Sequence, residues 1–171
     1  MSKYLLDSTV LIEPHQKYYP FDFALSFWRQ LENILRRRDA IILKVVNDEI
    51  ARANDRLANW LRDIKKDVNV MSVSRNQKVH DNYAMVIQYI QQCGFYKENA
   101  VWNWGKESIA DPWLIATAMS DDYKIVTSEQ PTGNLSRKNL QGNPKIPDVA
   151  KHFSVQCISL FDFMRAMNFQ L

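Results

Sequence analysis

Glycine and proline are scarce, with 4 Gly and 6 Pro among 171 residues. Collagen-like, linker-like and turn-dense all-β chains need far more of both, so those classes are excluded and long helices are favoured. The 2 cysteines, Cys93 and Cys157, stand far apart without a CxxC partner. That excludes a zinc framework and a secreted disulfide scaffold. No apolar run approaches membrane-span length. The opening MSKYLLDSTVLIEPHQ is broken by Asp7 and stopped by Glu13, too short and too charged for a signal peptide, and Ala40-Ile41-Ile42-Leu43 is of strand length. The expectation is a soluble chain of a reducing cytoplasm with no membrane partner. His15, His80 and His152 lie outside every motif considered below, which disfavours a Ser-His-Asp hydrolase. A strong charge imbalance is also missing. The 22 Lys and Arg against 19 Asp and Glu leave +3, which permits a nucleic-acid partner without demanding one.

What the chain does have is apolar substance. Hydrophobic residues make up 46% and aromatics 12%, enough for a proper core and too much for disorder. Tyr4-Leu5-Leu6-Asp7 reads as a short buried strand ending in an acid. Phe23, Phe27, Leu31, Ile34 and Leu35 recur at helical spacing, and Arg36-Arg37-Arg38 places cations at that helix's end. Ala40-Ile41-Ile42-Leu43 is a second strand. One amphipathic helix is expected over residues 46–64 and another from Val79 to near Cys93-Gly94. Asp111-Pro112 reads as the N-cap and first position of a further helix. Tyr123-Lys124-Ile125-Val126-Thr127 is a third strand, residues 153–158 a last one, and residues 160–169 a terminal helix. Between them, residues 128–148 hold Pro131, Gly133, Gly142, Pro144 and Pro147 with the cations Arg137, Lys138 and Lys145: a long basic loop within a single domain spanning 1–171. Strands separated by amphipathic helices imply an α/β fold, a mainly parallel sheet with helices on both faces. Ligands of such sheets collect beyond the carboxyl ends of the strands.

Acids stand at those ends. Asp7 follows the first strand, Asp48-Glu49 the second, Asp111 opens a helix, Glu129 follows the third strand and Asp148 closes the loop. Converging carboxylates repel, and a hard divalent cation with oxygen ligands is the ordinary compensation. Mg²⁺ so held would activate water and neutralise charge on a phosphate in transit, which yields phosphodiester hydrolysis. Ser8, Thr9, Thr127 and Ser128 supply hydroxyls to orient the acids or touch substrate.

Leu5-Leu6-Asp7-Ser8-Thr9-Val10-Leu11-Ile12 resembles the opening of PIN-domain nucleases. Asp48-Glu49-Ile50 is similar to their second acid segment, with Glu49 the matching acid. Ala110-Asp111-Pro112-Trp113-Leu114-Ile115-Ala116 resembles their Ala-Asp-x-x-Ile-Ala motif. Ile125-Val126-Thr127-Ser128-Glu129 resembles their Val-Thr-x-Asp segment, with Glu in place of Asp and with Thr9 where Asn or Ser is usual. Order and separation agree over nearly the whole chain. Tyr18-Tyr19-Pro20-Phe21-Asp22-Phe23, Asn54-Asp55-Arg56-Leu57-Ala58-Asn59-Trp60 and Lys145-Ile146-Pro147-Asp148-Val149 are similar to one PIN-like branch. The resemblance implies an Mg²⁺- or Mn²⁺-dependent ribonuclease, often the VapC-like toxin of a bacterial toxin–antitoxin pair. Its catalytic acids would be Asp7, Glu49, Asp111 and Glu129, with Asp7, Asp111, Glu49 and Asp148 holding metal. Arg137, Lys138 and Lys145 would meet RNA, and an antitoxin protein would be the partner.

Plainer roles stand beside these. Asp7 can simply stop a strand, Asp48 and Glu49 can complement a helix dipole, and Asp111 can only cap. Glu129 and Asp148 both qualify as the fourth acid. Trp102, Trp104 and Trp113 can stack bases but more often fill a core, and the same holds for a dimer or partner face at Phe161, Met164, Met167 and Phe169. A regulatory PIN-like module that has lost catalysis is the non-enzymatic alternative. A haloacid-dehalogenase-type phosphatase needs a second acid two positions after Asp7, where Thr9 stands.

Overall fold

A computed structural model describes residues 3–171. Five short strands form one all-parallel sheet: β1 (Tyr4–Leu6), β2 (Ala40–Leu43), β3 (Val70–Met71), β4 (Lys124–Val126) and β5 (Cys157–Ile158). Their order is β3-β2-β1-β4-β5. Leu5 pairs with Ile41 on one side and Ile125 on the other, so β1 is the central strand. The chain winds outward from β1 through β2 to β3, then crosses back to β4 and β5. Parallel crossovers are right-handed as a rule, so running in both directions from β1 they place helices on both faces, and the order reverses between β1 and β4.

The first crossovers carry α1 (Thr9–Glu13), a π-helical turn (Pro14–Tyr18), α2 (Leu25–Arg36), α3 (Lys44–Ala51) and α4 (Arg56–Ile64). The long return carries α5 (Gln77–Gln92), α6 (Glu98–Trp104) and α7 (Ala110–Asp121), and the chain finishes with α8 (Ile146–His152) and α9 (Leu160–Ala166). Helix α7 is buried almost all round, Pro112 to Ala118 without interruption, because it lies between the sheet and α5. Its few polar atoms are matched: Asn82 Nδ2 donates to the Ala116 carbonyl and to Ser120 Oγ, each at 3.1 Å. Leu5, Leu6, Leu11, Phe27, Trp28, Leu43 and Phe163 sit in the core, fully enclosed.

The sequence expectations need several corrections. Phe23, expected on the buried stripe of α2, lies before that helix and is 74% exposed, and the strand expected over 153–158 is only Cys157–Ile158, with Phe153 and Ser154 in a turn after α8. The helix expected over 46–64 is two helices, because Asp55 Oδ1 accepts from Ala58 N at 2.9 Å and starts a new one after a break at Arg52–Asn54. The strand β3 is too short, and only half-buried, to show in an apolar pattern. Helix α6 follows Gly94 and Tyr96 in a stretch whose Trp and Asn content gives no clear period. The loop ends earlier than 148, since Ile146 and Pro147 already form the first turn of α8. Asp111 does not cap α7; Ile109 is the N-cap residue, and Asp111 lies in the first turn with no capping hydrogen bond.

The segments 18–23 and 54–60 meet in packing. Phe21 stacks on Trp28 at 4.1 Å, and Trp60 closes on Trp28 at 4.9 Å. His15 leans on Phe21 and Trp28 and reaches Asp55 at 3.9 Å. This aromatic corner fixes α2 against α4.

Candidate active site

The residue after β1 is Asp7, and the residue after β4 is Thr127, so the reversal of strand order brings them side by side. Asp7 is 2% exposed. Its Oδ2 accepts hydrogen bonds from Thr9 Oγ1 at 2.6 Å and Thr127 Oγ1 at 2.8 Å. Both hydroxyls are themselves oriented: Ser128 N donates to Thr9 Oγ1 and Glu129 N to Thr127 Oγ1, each at 3.1 Å. With their lone pairs so engaged, the hydroxyl protons point at the carboxylate. Among the described residues no hydrogen bond reaches Asp7 Oδ1 and no cation pairs with it.

Glu49 arrives from the second turn of α3. Its Oε1 accepts from Ser8 Oγ at 3.0 Å, which ties α3 to the end of β1. Asp48, beside it, faces the other way and pairs with Lys44, one helical turn back. Glu129 is held by the opposite wall: Lys145 Nζ donates to Oε1 at 3.2 Å and Ile146 N to Oε2 at 2.7 Å. Asp111 projects from the first turn of α7. Burial above all, then the charges of Asp7, Glu129 and Glu49, push its pKa up to about 8, with Lys145 pulling the other way. Burial also raises the pKa of Asp7, aided by Glu129 and Glu49 and opposed by the two threonine hydroxyls. Four acids therefore share one electrostatic neighbourhood. They do not stand mouth to mouth: among the described residues no three His, Cys, Asp or Glu side chains form a ready cage for an ion. Three of the four are drawn toward their own donors, Asp7 to Thr9 and Thr127, Glu49 to Ser8, and Glu129 to Lys145.

Asp148 lies elsewhere. Its Oδ2 accepts from Thr132 N at 3.0 Å and Thr132 Oγ1 at 2.7 Å, pinning the long loop to α8, and its charge bears on Tyr89 and Tyr96. Of the three loop cations only Lys145 joins the acids. Arg137 lies over Gly94, within 3.3 Å of where a side chain would begin, and lines a recess with Tyr89 and His152. Lys138 is exposed, its backbone N–H bonded to Ser136 Oγ. Trp104 and Trp113 are core residues, whereas Trp102 is 73% exposed. Met164 is buried, and of the suggested C-terminal face only Phe161 is open.

Two recesses open at the strand ends, neither of them lined by the four acids. On the α3 and α7 side a groove of about 840 Å³ is bordered by Lys44, Asp48, Arg52, His80, Tyr83 and Trp113. On the β4 and β5 side a cleft of about 200 Å³ is lined by Glu13, Tyr18, Thr127, Ser128, Ser159 and Phe161. Glu13, Tyr18 and Cys157 stand near the acids outside the expected set of site residues. Cys157 lies close enough to Asp7 and Glu129 that their charges, after burial, help push its thiol up to about 12. Helical spacing was the available signal for Glu13, since Thr9 and Glu13 lie on one face of α1.

The molecule is thus a doubly wound parallel α/β protein with an acidic centre at its switch point, an arrangement compatible with a PIN-like fold. Over residues 4–171 it matches the family described as Domain of unknown function (DUF4411), and the chain belongs to that family. No curated protein matches it significantly. Among the described residues no helix is long and apolar enough to cross a membrane.

Proposed function

We propose that the chain is a PIN-like, metal-dependent endoribonuclease whose working carboxylates are Asp7, Glu49, Asp111 and Glu129. One observation carries the reading: Asp7, 2% exposed at the switch point, is bonded by hydroxyls alone and lies in the field of further acids. A lone buried carboxylate among like charges is unfavourable for folding, which makes it a candidate for function. The donor set is all oxygen and suits Mg²⁺ or Mn²⁺ rather than a soft metal. Asp7, Glu49 and Asp111 would hold the ion, and when bound it supplies activation of water and charge neutralisation at the phosphate.

The protein's own residues do the rest. Thr9 and Thr127 fix Asp7 by Oδ2 and, among the described residues, leave Oδ1 without a hydrogen bond. Ser8 fixes Glu49, and Lys145 brings a cation to the edge of the acidic centre, where it offsets repulsion of a polyanion. The resemblance to VapC-like toxins extends the proposal to a cytoplasmic toxin restrained by an antitoxin protein. Inspection of neighbouring genes for a helix-turn-helix or protease-like partner checks that extension.

Cleavage of labelled single-stranded RNA is the test. Wild-type protein with Mn²⁺ is expected to cut, and EDTA or Asp7→Asn to abolish cutting; intact, folded protein that cuts none of a varied RNA set with metal present would overturn the reading. The grip of Lys145 and Ile146 N on Glu129 favours a second reading, a regulatory module that has lost catalysis. Failure to bind Mn²⁺ at millimolar concentration would favour it.

A further inference from the structure

The small cleft beside the acids has features that the hydrolytic reading leaves unused. Tyr18 and Phe161 are 50% and 49% exposed, come from the π-helical turn and from the start of α9, and line the same recess. Exposed aromatic faces converging on one space from separate elements are what a flat heterocycle stacks against. At about 200 Å³ the recess suits a single ring system and is too small for a helix or a duplex. Its wall includes Thr127 and Ser128, the same residues that orient Asp7 and Thr9, so whatever sits there is a neighbour of the acidic centre.

The charged group lining this recess is Glu13, among the polar side chains of Thr127, Ser128, Gln130 and Ser159. The neighbouring Ser128 hydroxyl, and then the pairing with Lys17 at 3.2 Å, hold its carboxyl below the usual range, so it is an acceptor only. Among the four RNA bases, guanine alone presents two adjacent N–H donors, N1–H and N2–H₂, on its Watson–Crick edge. Adenine and cytosine set a lone pair beside their donor, and uracil flanks its one N–H with carbonyls. A carboxylate therefore accepts from guanine at two points and meets a repelling lone pair on each of the others.

We propose that this cleft is a nucleobase subsite for a single-stranded RNA, in which Tyr18 and Phe161 stack the base next to the cleaved phosphate and Glu13 selects guanine. The placement next to a cleaved phosphate rests on the ribonuclease reading; the binding of a base does not.

The test is fluorescence anisotropy of short labelled RNAs with the full chain in EDTA, so that cleavage plays no part. The RNAs are an all-U hexamer and hexamers carrying one G, A or C. The G-containing RNA is expected to bind about tenfold tighter than the all-U one. Glu13→Gln should erase that preference while keeping affinity for the all-U strand, whereas Tyr18→Ala and Phe161→Ala should weaken every RNA about tenfold. Equal binding of all four RNAs, no binding at all, or variants indistinguishable from wild type would overturn the proposal. Guanine-selective binding without cleavage in Mn²⁺ would leave the subsite standing and remove the ribonuclease. Metal-dependent cleavage with no base preference, unchanged in Tyr18→Ala and Phe161→Ala, would do the reverse.

Discussion

A carboxyl whose pKa is raised to about 8 favours the folded chain only while it keeps its proton. For Asp111 the stabilising contribution is complete below the ordinary value of 3.8 and is lost as pH rises through about 8. Melting in EDTA should therefore show wild-type protein losing stability between pH 5 and 9. Asp111→Asn should melt higher than wild type at pH 8.5, on the order of 5 °C, and show little difference at pH 5. The same substitution should abolish metal-dependent cleavage, the usual opposition between stability and a charged site. Equal melting curves for the two proteins at pH 8.5 would contradict the electrostatic account of Asp111. Lys145 provides a second check. It is the cation nearest the acids, so Lys145→Ala should strengthen Mn²⁺ binding severalfold and weaken RNA binding, both readable by titration.

At the scale of elements, the site depends on two strand ends that only topology brings together. Thr127 is buried and its hydroxyl serves both Asp7 and the Glu129 amide. Thr127→Val keeps the shape and removes both bonds; about 1–3 kcal/mol of stability should go with them, seen in denaturant melts, along with most of the cleavage rate. Asp55→Ala, by contrast, removes the cap of α4 far from the acids and should cost about 1 kcal/mol without touching activity. The buried apolar strands and the periodic amphipathic helices were legible in the sequence: β1, β2, β4, α2 and α5 stand close to where the pattern put them. So was the order of the acids. What was not legible depended on tertiary partners. Nothing in Asp148 announces that Thr132 will occupy it, and nothing in Arg137 says that it will lie on Gly94 while Lys145 goes to Glu129. The cap reading of Asp111 failed because a helix can begin two residues earlier without a side-chain cap when its start is packed in the core.

Over the whole molecule, a net charge of +3 conceals a division. Acids gather at the reversal of strand order, and the loop cations that the sequence grouped together are distributed to three separate places. A chain carrying uncompensated buried carboxylates should be stabilised by a divalent cation that binds only the folded state. Mn²⁺ at a hundredfold excess over its dissociation constant is worth about 2.7 kcal/mol, or roughly 5–10 °C in melting temperature, and Asp7→Asn should lose that gain. The most direct measurement is anomalous diffraction from crystals soaked in Mn²⁺. A peak within ligating distance of Asp7, Glu49 and Asp111, absent in Asp7→Asn, is the result the account expects. A fully soaked crystal with manganese elsewhere, or with none at these three carboxylates, would contradict it.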